Sequence, residues 1–385
     1  MRKVKIGILG CGDISHAYIQ NIQKIYTELE ITACSNHHFE KAKEVAGKYG
    51  IEKVLTLDEM LADGQIEIIV NLTPPLLHSE LNRKILEAGK HVFSEKPFAL
   101  TVEDALSLME LAKEKHLSIG CAPDTFLGAG LKTADKLLDE GAIGTPLYVT
   151  ANMISAGPET WHPNPDFFYK EGGGPLYDVG PYYLTAIVAM LGPIEQVCAL
   201  SSTGFLQREI YSGKLKKSKI QVEIPTHYAG ILRLKSGVIV SLNFSFDVFK
   251  SSLPKLEIYG TQGTMILPDP NTTSGCTRIY RKEQYLRDSG INEEDIETEP
   301  DYIRNLLSNP KVTKLEDQSL EISELYPVYG EYVRGTGVYD MAQFITGEKA
   351  DYFASAKLAV HVVEAMNAMV ISARTGINYQ MKTII

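Results

Sequence analysis

Gly10-Cys11-Gly12-Asp13-Ile14-Ser15 has the composition and spacing to hold a pyrophosphate. It matches G-x-G-x-x-G/A, with serine in the last small position. Gly10 permits a tight turn and Gly12 lets the backbone approach a ligand closely. A helix beginning at Asp13 and Ile14 would offer unpaired N–H groups to negative charge. Before the motif, Val4, Ile6, Ile8 and Leu9 form a short branched apolar run of the kind a buried strand requires. After it, Ile14, Ala17, Tyr18, Ile22 and Ile25 recur at helical spacing. Strand, glycine turn and helix in that order predict a dinucleotide site, with a plain glycine-rich turn as the alternative.

The elements that must position this turn repeat it. Residues 30–34 read as a strand and 40–49 as a helix. Residues 66–72 form a strong strand that Thr73-Pro74-Pro75 stops, because proline cannot donate to a ladder. A helix over 76–88 ends at Gly89, and a strand over 91–93 leads into Ser94-Glu95-Lys96-Pro97. Thr101 and Asp104 cap the next helix, and 117–122 is the last strand. Alternation of this kind predicts an α/β fold with a doubly wound parallel sheet. Ligands then sit beyond the carboxyl ends of the strands. Gly10, Gly12, Asp13, Ile14, Ser35, Asn36, Thr73, Pro74, His78, Glu95 and Lys96 all lie at those ends and are the candidate cofactor contacts. For His78 a helix-start hydrogen bond is an equal reading. The stretch after the second strand, Ser35-Asn36-His37-His38, carries no acid to hold the ribose hydroxyls of NAD. It tilts the cofactor expectation toward NADP over NAD, although no arginine is present to bind the extra phosphate.

A chain of 385 residues predicts two domains, here 1–122 and 123–385. Past residue 122 the texture changes. A helix over 131–138 and a strand over 146–154 precede consecutive strands between 228 and 267, which predict an α+β domain with a large, mostly antiparallel open sheet. Residues 268–326 read as a polar excursion with some local helix, and helices return at 340–345 and 354–374. The free face of such a sheet needs cover, so a homodimer or homotetramer is expected. The net charge of −10, with no basic block, argues against nucleic acid. The N-terminus runs straight into a strand without a leader pattern, and no apolar run is read as long enough to span a bilayer. Five scattered cysteines form neither a disulfide framework nor a metal set. No metal is expected, and a cytoplasmic protein is the simple reading.

Taken together, IGILGCGDIS, NLTPPLLH, SEKP and Gly172-Gly173-Gly174-Pro175-Leu176-Tyr177-Asp178-Val179-Gly180 resemble the glucose–fructose oxidoreductase, inositol dehydrogenase and rhizopine-catabolism (Gfo/Idh/MocA) family. The resemblance implies a Rossmann domain followed by a sheet domain that carries the substrate and often the oligomer contacts. It also implies NAD(P)-dependent oxidoreduction of sugars, polyols or related carbonyl compounds. Lys96 falls on the family's catalytic lysine, before a proline whose peptide is usually cis. Its charge would stabilise a developing oxyanion. Asp178 falls on the family aspartate. Tyr182 stands where many members have histidine, four residues on and so on one helical face with Asp178. A phenol near pKa 10 needs a neighbouring cation to act near neutrality, and Lys96 is expected to supply it. Trp161 and His162 lie in a loop over the expected cleft. The tryptophan could cover the nicotinamide or stack on a sugar, and the histidine could bind substrate or shuttle a proton.

Hydride transfer is therefore the leading functional expectation. The alternatives are an NAD-dependent glycosidase working by transient oxidation, and a non-catalytic dinucleotide-sensing regulator.

Overall fold

The structure, a computed structural model, describes residues 1–289 and 319–385. Its first sheet is built from Val4–Leu9 (β1), Asp13–Ile25 (α1), Leu29–Ser35 (β2), Phe39–Tyr49 (α2), Lys53–Val54 (β3), Leu57–Ala62 (α3), Ile68–Asn71 (β4), His78–Glu87 (α4), His91–Ser94 (β5), Val102–Glu114 (α5) and Ile119–Cys121 (β6). The strands are all parallel, in the order β3-β2-β1-β4-β5-β6. Val4, Ile6 and Ile8 of β1 are fully buried, as a central strand covered on both faces requires. The strand order reverses between β1 and β4, which opens the crevice where the glycine turn lies. The sequence reading omits β3 and α3, which are too short to carry a period. Yet Thr56 and Glu59 make a reciprocal capping box at the start of α3.

The second sheet follows from Ala129–Asp139 (α6), Pro146–Ile154 (β7), Gly174–Asp178 (α7), Gly180–Leu191 (α8), Ile194–Ser202 (β8), Gln207–Glu209 (β9), Lys219–Gln221 (β10), His227–Leu234 (β11), Ile239–Ser245 (β12), Leu256–Gly260 (β13), Gly263–Leu267 (β14), Thr277–Arg281 (β15), Lys282–Ser289 (α9), Leu320–Ile322 (β16), Thr336–Ile345 (α10), Ala356–Thr375 (α11) and Tyr379–Gln380 (β17). Nine strands run β16-β15-β14-β13-β7-β12-β11-β8-β17. Among the described residues every pairing is antiparallel except β7 with β12. One face is covered by helices. The other leaves Tyr148, Cys198, Leu200 and Ile231 exposed. Those outward apolar residues hide the in–out alternation of β8, which is absent from the sequence reading. Residues 290–318 of the expected polar excursion lie outside the described residues.

The chain then returns to the first sheet. Val333, Val338, Met341, Ala342 and Ala354 share one core with Val4, Ile6, Ile8, Tyr18 and Phe93. The Cys121 amide donates to the Ala354 carbonyl at 3.0 Å. Buried Asp124 accepts the Gly335 and Gly337 amides on Oδ2, each at 2.9 Å. A division at residue 122 thus leaves part of the first core on the far side of the cut. Helix α11 is long and apolar enough, by length and composition, to cross a membrane, a run the sequence reading did not find. In the fold its Val360, Val363, Met366 and Met369 are buried, and the helix packs against β8 and α5.

Candidate active site

Gly10 sits at φ +100°, where an added Cβ would lie 2.7 Å from the Leu72 carbonyl, so this position needs glycine. Its amide donates to the Ser35 carbonyl at 2.8 Å, tying the turn to the end of β2. Gly12 differs: its backbone is extended, and a Cβ there would meet nothing within 4 Å. Helix α1 starts at Asp13 and Ile14 with no side-chain cap on its N-terminus. Buried Ser15 closes the first turn by donating Oγ to the Gly12 carbonyl at 2.6 Å. Asn36 braces the loop from below, accepting the Cys11 amide on Oδ1 and donating Nδ2 to the His38 carbonyl, each at 3.1 Å. An uncapped helix N-terminus beside open space over a glycine suits the pyrophosphate of a dinucleotide.

A cavity of about 560 Å³ continues from this turn, walled by Leu9, Ser35, Asn36, His37, Thr73 and Leu81, with no acidic residue in its wall. Thr73 is fixed by its amide and hydroxyl on Asn71 Oδ1, at 3.2 and 2.7 Å. Pro74 leads from it into the short turn Pro75–Leu77. His78 corrects the expectation of a cofactor contact. It is fully buried, with Nδ1 and Nε2 each 2.7 Å from a carbonyl oxygen, those of Pro97 and Thr73. Burial pushes its imidazole below the ordinary range. The ring sits between two strand-end loops, its single N–H donating to one of these carbonyls, and both nitrogens face protein oxygens.

Strand β5 delivers Glu95-Lys96-Pro97, and the Lys96–Pro97 peptide is cis, as the resemblance implied. Glu95 accepts the Tyr18 hydroxyl on Oε1 at 2.8 Å and the Lys96 amide on Oε2 at 2.9 Å. Lys96 Nζ lies 2.7 Å from Asp178 Oδ1 and also donates to the Asp178 carbonyl. Burial works against the ammonium, but Asp178, Tyr182 and Glu95 outweigh it and hold the lysine above its ordinary range. Asp178 and Tyr182 do not share one continuous helix. Asp178 ends α7, the helix is interrupted at Val179, and Tyr182 sits in the first turn of α8. They meet at Lys96 nonetheless: Nζ is 5.3 Å from the Tyr182 ring centroid. The Tyr182 hydroxyl has no partner among the described residues. Burial raises this phenol, while Lys96 and Arg334 pull the other way. The adjacent tyrosine is the packing one: Tyr183 is fully buried and donates to Asp269 Oδ1 at 3.2 Å.

Lys96, Asp178 and Tyr182 open onto a cavity of about 400 Å³ whose wall also includes Trp161, Phe168 and Asn271. Trp161 is 63% exposed and so is a wall of the cleft rather than a buried loop plug. His162 lies off that wall. Its ring packs edge-on against Trp161, Phe167 and Phe168, and Nδ1 accepts the Asn164 amide at 3.1 Å, which argues against the expected substrate contact. Behind the loop, buried Arg208 pairs with Glu159 at 2.6 Å and with Asp247, while Tyr169 donates to Glu159. Sequence reasoning missed this brace, because its members come from segments with no shared spacing. It also missed Arg334, which is 6% exposed with its guanidinium carbon 5.8 Å from the Tyr182 ring centroid. No group of three or more potential metal ligands occurs among the described residues.

Comparison with known proteins agrees with this architecture. The model of an oxidoreductase family with an NAD-binding Rossmann fold matches residues 4–122, and that of the GFO/IDH/MocA C-terminal domain matches 131–266. An uncharacterized oxidoreductase, C115.03, of Schizosaccharomyces pombe is 29% identical over 206 residues, covering 52% of this chain and 55% of that one. The chain thus spans about half the length of that relative. A dTDP-3,4-didehydro-2,6-dideoxy-alpha-D-glucose 3-reductase of Saccharopolyspora spinosa is 29% identical over 293 residues, covering 73% of this chain and 81% of that one. A levoglucosan dehydrogenase, solved in complex with NADH and levoglucosan, superposes with a TM-score of 0.76 at 19% identity, covering 100% of both chains.

Proposed function

The chain belongs to the Gfo/Idh/MocA oxidoreductase family, and from that premise we propose that it is an NAD(P)-dependent dehydrogenase or reductase of a sugar, polyol or related hydroxy compound. The observation that carries the proposal is the convergence of Lys96, Asp178 and Tyr182 on one cavity at the carboxyl ends of the strands. The dinucleotide would lie along Gly10, Gly12, the α1 N-terminus and the cavity beside Asn36 and Thr73. When bound, it supplies or accepts the hydride. Lys96 holds a positive charge beside the reacting oxygen and stabilises it as it becomes anionic. Asp178 fixes that ammonium in place. Tyr182 takes the hydroxyl proton in oxidation and returns it in reduction. Trp161 and Phe168 present aromatic faces to an apolar sugar face.

The test is nicotinamide absorbance change with NAD and NADP, in both directions, across free sugars, polyols and inositols. Lys96→Ala and Tyr182→Phe run beside the wild type. Turnover lost by a factor of about 10² or more in both variants supports the assignment. Turnover that survives loss of Lys96 refutes it. Glycoside cleavage with no net redox change would instead indicate the glycosidase reading.

We also place NADP among the accepted cofactors. The support is a cavity wall that includes Asn36 and His37 and has no carboxylate to repel a 2′-phosphate. Asn36→Asp should shift preference toward NAD. The bare face of the second sheet, with Leu200 70% exposed and Ile231 48% exposed, is the surface for a homodimer or homotetramer. Leu200→Lys with Ile231→Lys should then yield a monomer in light scattering.

A further inference from the structure

Arg334 precedes α10 in a stretch that Asp124 ties down through the Gly335 and Gly337 amides. Its NH1 donates to the Val333 carbonyl at 3.1 Å and its NH2 reaches Asn271 Oδ1 at 3.5 Å. Among the described residues no carboxylate lies within ion-pair distance of it. A cation that is 6% exposed and lacks an ion pair is expensive to bury. The nearest carboxylates, Asp124 and Glu95, act on it from beyond ion-pair distance. Both Glu95 oxygens accept hydrogen bonds, from Tyr18 and from the Lys96 amide. Asp124 is fully buried with Oδ1 unpartnered, and burial pushes its carboxyl up toward the neutral form. Lys96, a second cation near Tyr182, shares its charge with Asp178 at 2.7 Å. The charged and titratable groups around the phenol are Lys96 and Glu95 from the β5 loop, Asp178 from α7 and Arg334, with Asp124 and Tyr18 behind Arg334 and with Lys255 and Asp269 elsewhere in the wall of the same cavity.

We propose that Arg334 is a positioning residue for proton transfer, its charge adding to that of Lys96, which Asp178 shares, in favouring the ionised Tyr182 hydroxyl. The proposal rests on the reading of Tyr182 as the proton-transfer group. A phenol in a buried site needs cations beside it to ionise near neutrality. The geometry supplies one at 5.8 Å from the ring centroid. A cation packed on the ring shifts the phenol by about one pH unit.

The measurement is titration of tyrosine ¹³Cζ resonances by NMR in the full-length protein, which needs no substrate. Tyr182→Phe identifies the signal. Arg334→Met should move its midpoint up by about one pH unit or more, and Arg334→Lys by less. With a turned-over substrate, the acid limb of the oxidation rate should move by the same amount. An unmoved Tyr182 midpoint in a folded Arg334→Met protein overturns the proposal, and so does an unmoved midpoint in Arg334→Lys if the methionine variant fails to fold. A Tyr182→Phe enzyme that keeps its acid limb overturns the Tyr182 reading instead, so the two failures are distinguishable.

Discussion

Gly12 and Gly10 should fail in opposite ways when each is replaced by alanine. At Gly12 the backbone is extended and the added methyl meets no atom within 4 Å. Losing a flexible residue from the unfolded chain and placing alanine at an N-cap oppose each other, so stability should stay within about 1 kcal/mol of wild type. A dinucleotide lying on that turn would meet the methyl directly. Displacing its pyrophosphate from one or two backbone donors removes charge-assisted hydrogen bonds of roughly 1.5–3 kcal/mol each, a loss of about 10- to 150-fold in affinity or more. At Gly10 the same methyl lies 2.7 Å from the Leu72 carbonyl at φ +100°. Left-handed strain and overpacking there should lower stability by roughly 2–4 kcal/mol. The assay pairs thermal unfolding without ligand and NADH or NADPH fluorescence titration for each variant. A Gly12→Ala protein that folds normally and binds either cofactor as tightly as wild type would refute the placement of the pyrophosphate.

Asp178→Asn leaves the carbonyl contact to Lys96 but removes its counter-charge, at about 3 kcal/mol. The Lys96 midpoint should fall by about two pH units, read as faster labelling by trace acetic anhydride in peptide mass spectrometry. Unchanged labelling would contradict the ion-pair account. His361 is fully buried, accepts the Ile194 amide on Nε2 at 2.9 Å, and is held by burial at a pKa of about 4. Its folded value lies below the unfolded value of about 6.5, so the unfolded chain takes the proton first and stability falls as pH drops from about 6.5 to 4. The loss is about 3 kcal/mol. The fall in urea midpoint over that range should be smaller in His361→Gln, and the wild-type Ile194 amide, corrected for intrinsic rate, should exchange faster at low pH.

The first sheet was legible because its elements end in residues with narrow backbone roles: Gly10, Pro74, Pro75 and Pro97 follow strands and Gly89 follows a helix. Lys96, Asp178 and Tyr182, the residues of the proposed site, were picked out through motifs in linear order. Arg334 could not be found that way, since its proximity to Tyr182 comes from the return of the chain to the first core. The roles of His78 and His162 depended on which atoms each ring faces, and spacing does not encode that. Strand β8 was hidden by Cys198 and Leu200 on its exposed side, where alternation predicts polar residues.

The return of residues 333–354 to the first core also orders events during synthesis. Tyr18 and Phe93 take part in a core that Val333, Val338 and Ala354 complete, and those residues are translated only after every strand of the second sheet except β17. At about 5–20 residues per second, the nascent first sheet waits roughly 10–40 s with that flank uncovered. The dinucleotide fold therefore cannot finish at the ribosome ahead of its neighbour. In a chimera exchanging substrate domains with a relative, α10 and the segment around it travel with the N-terminal half, while α11 stays with the second sheet on which it packs.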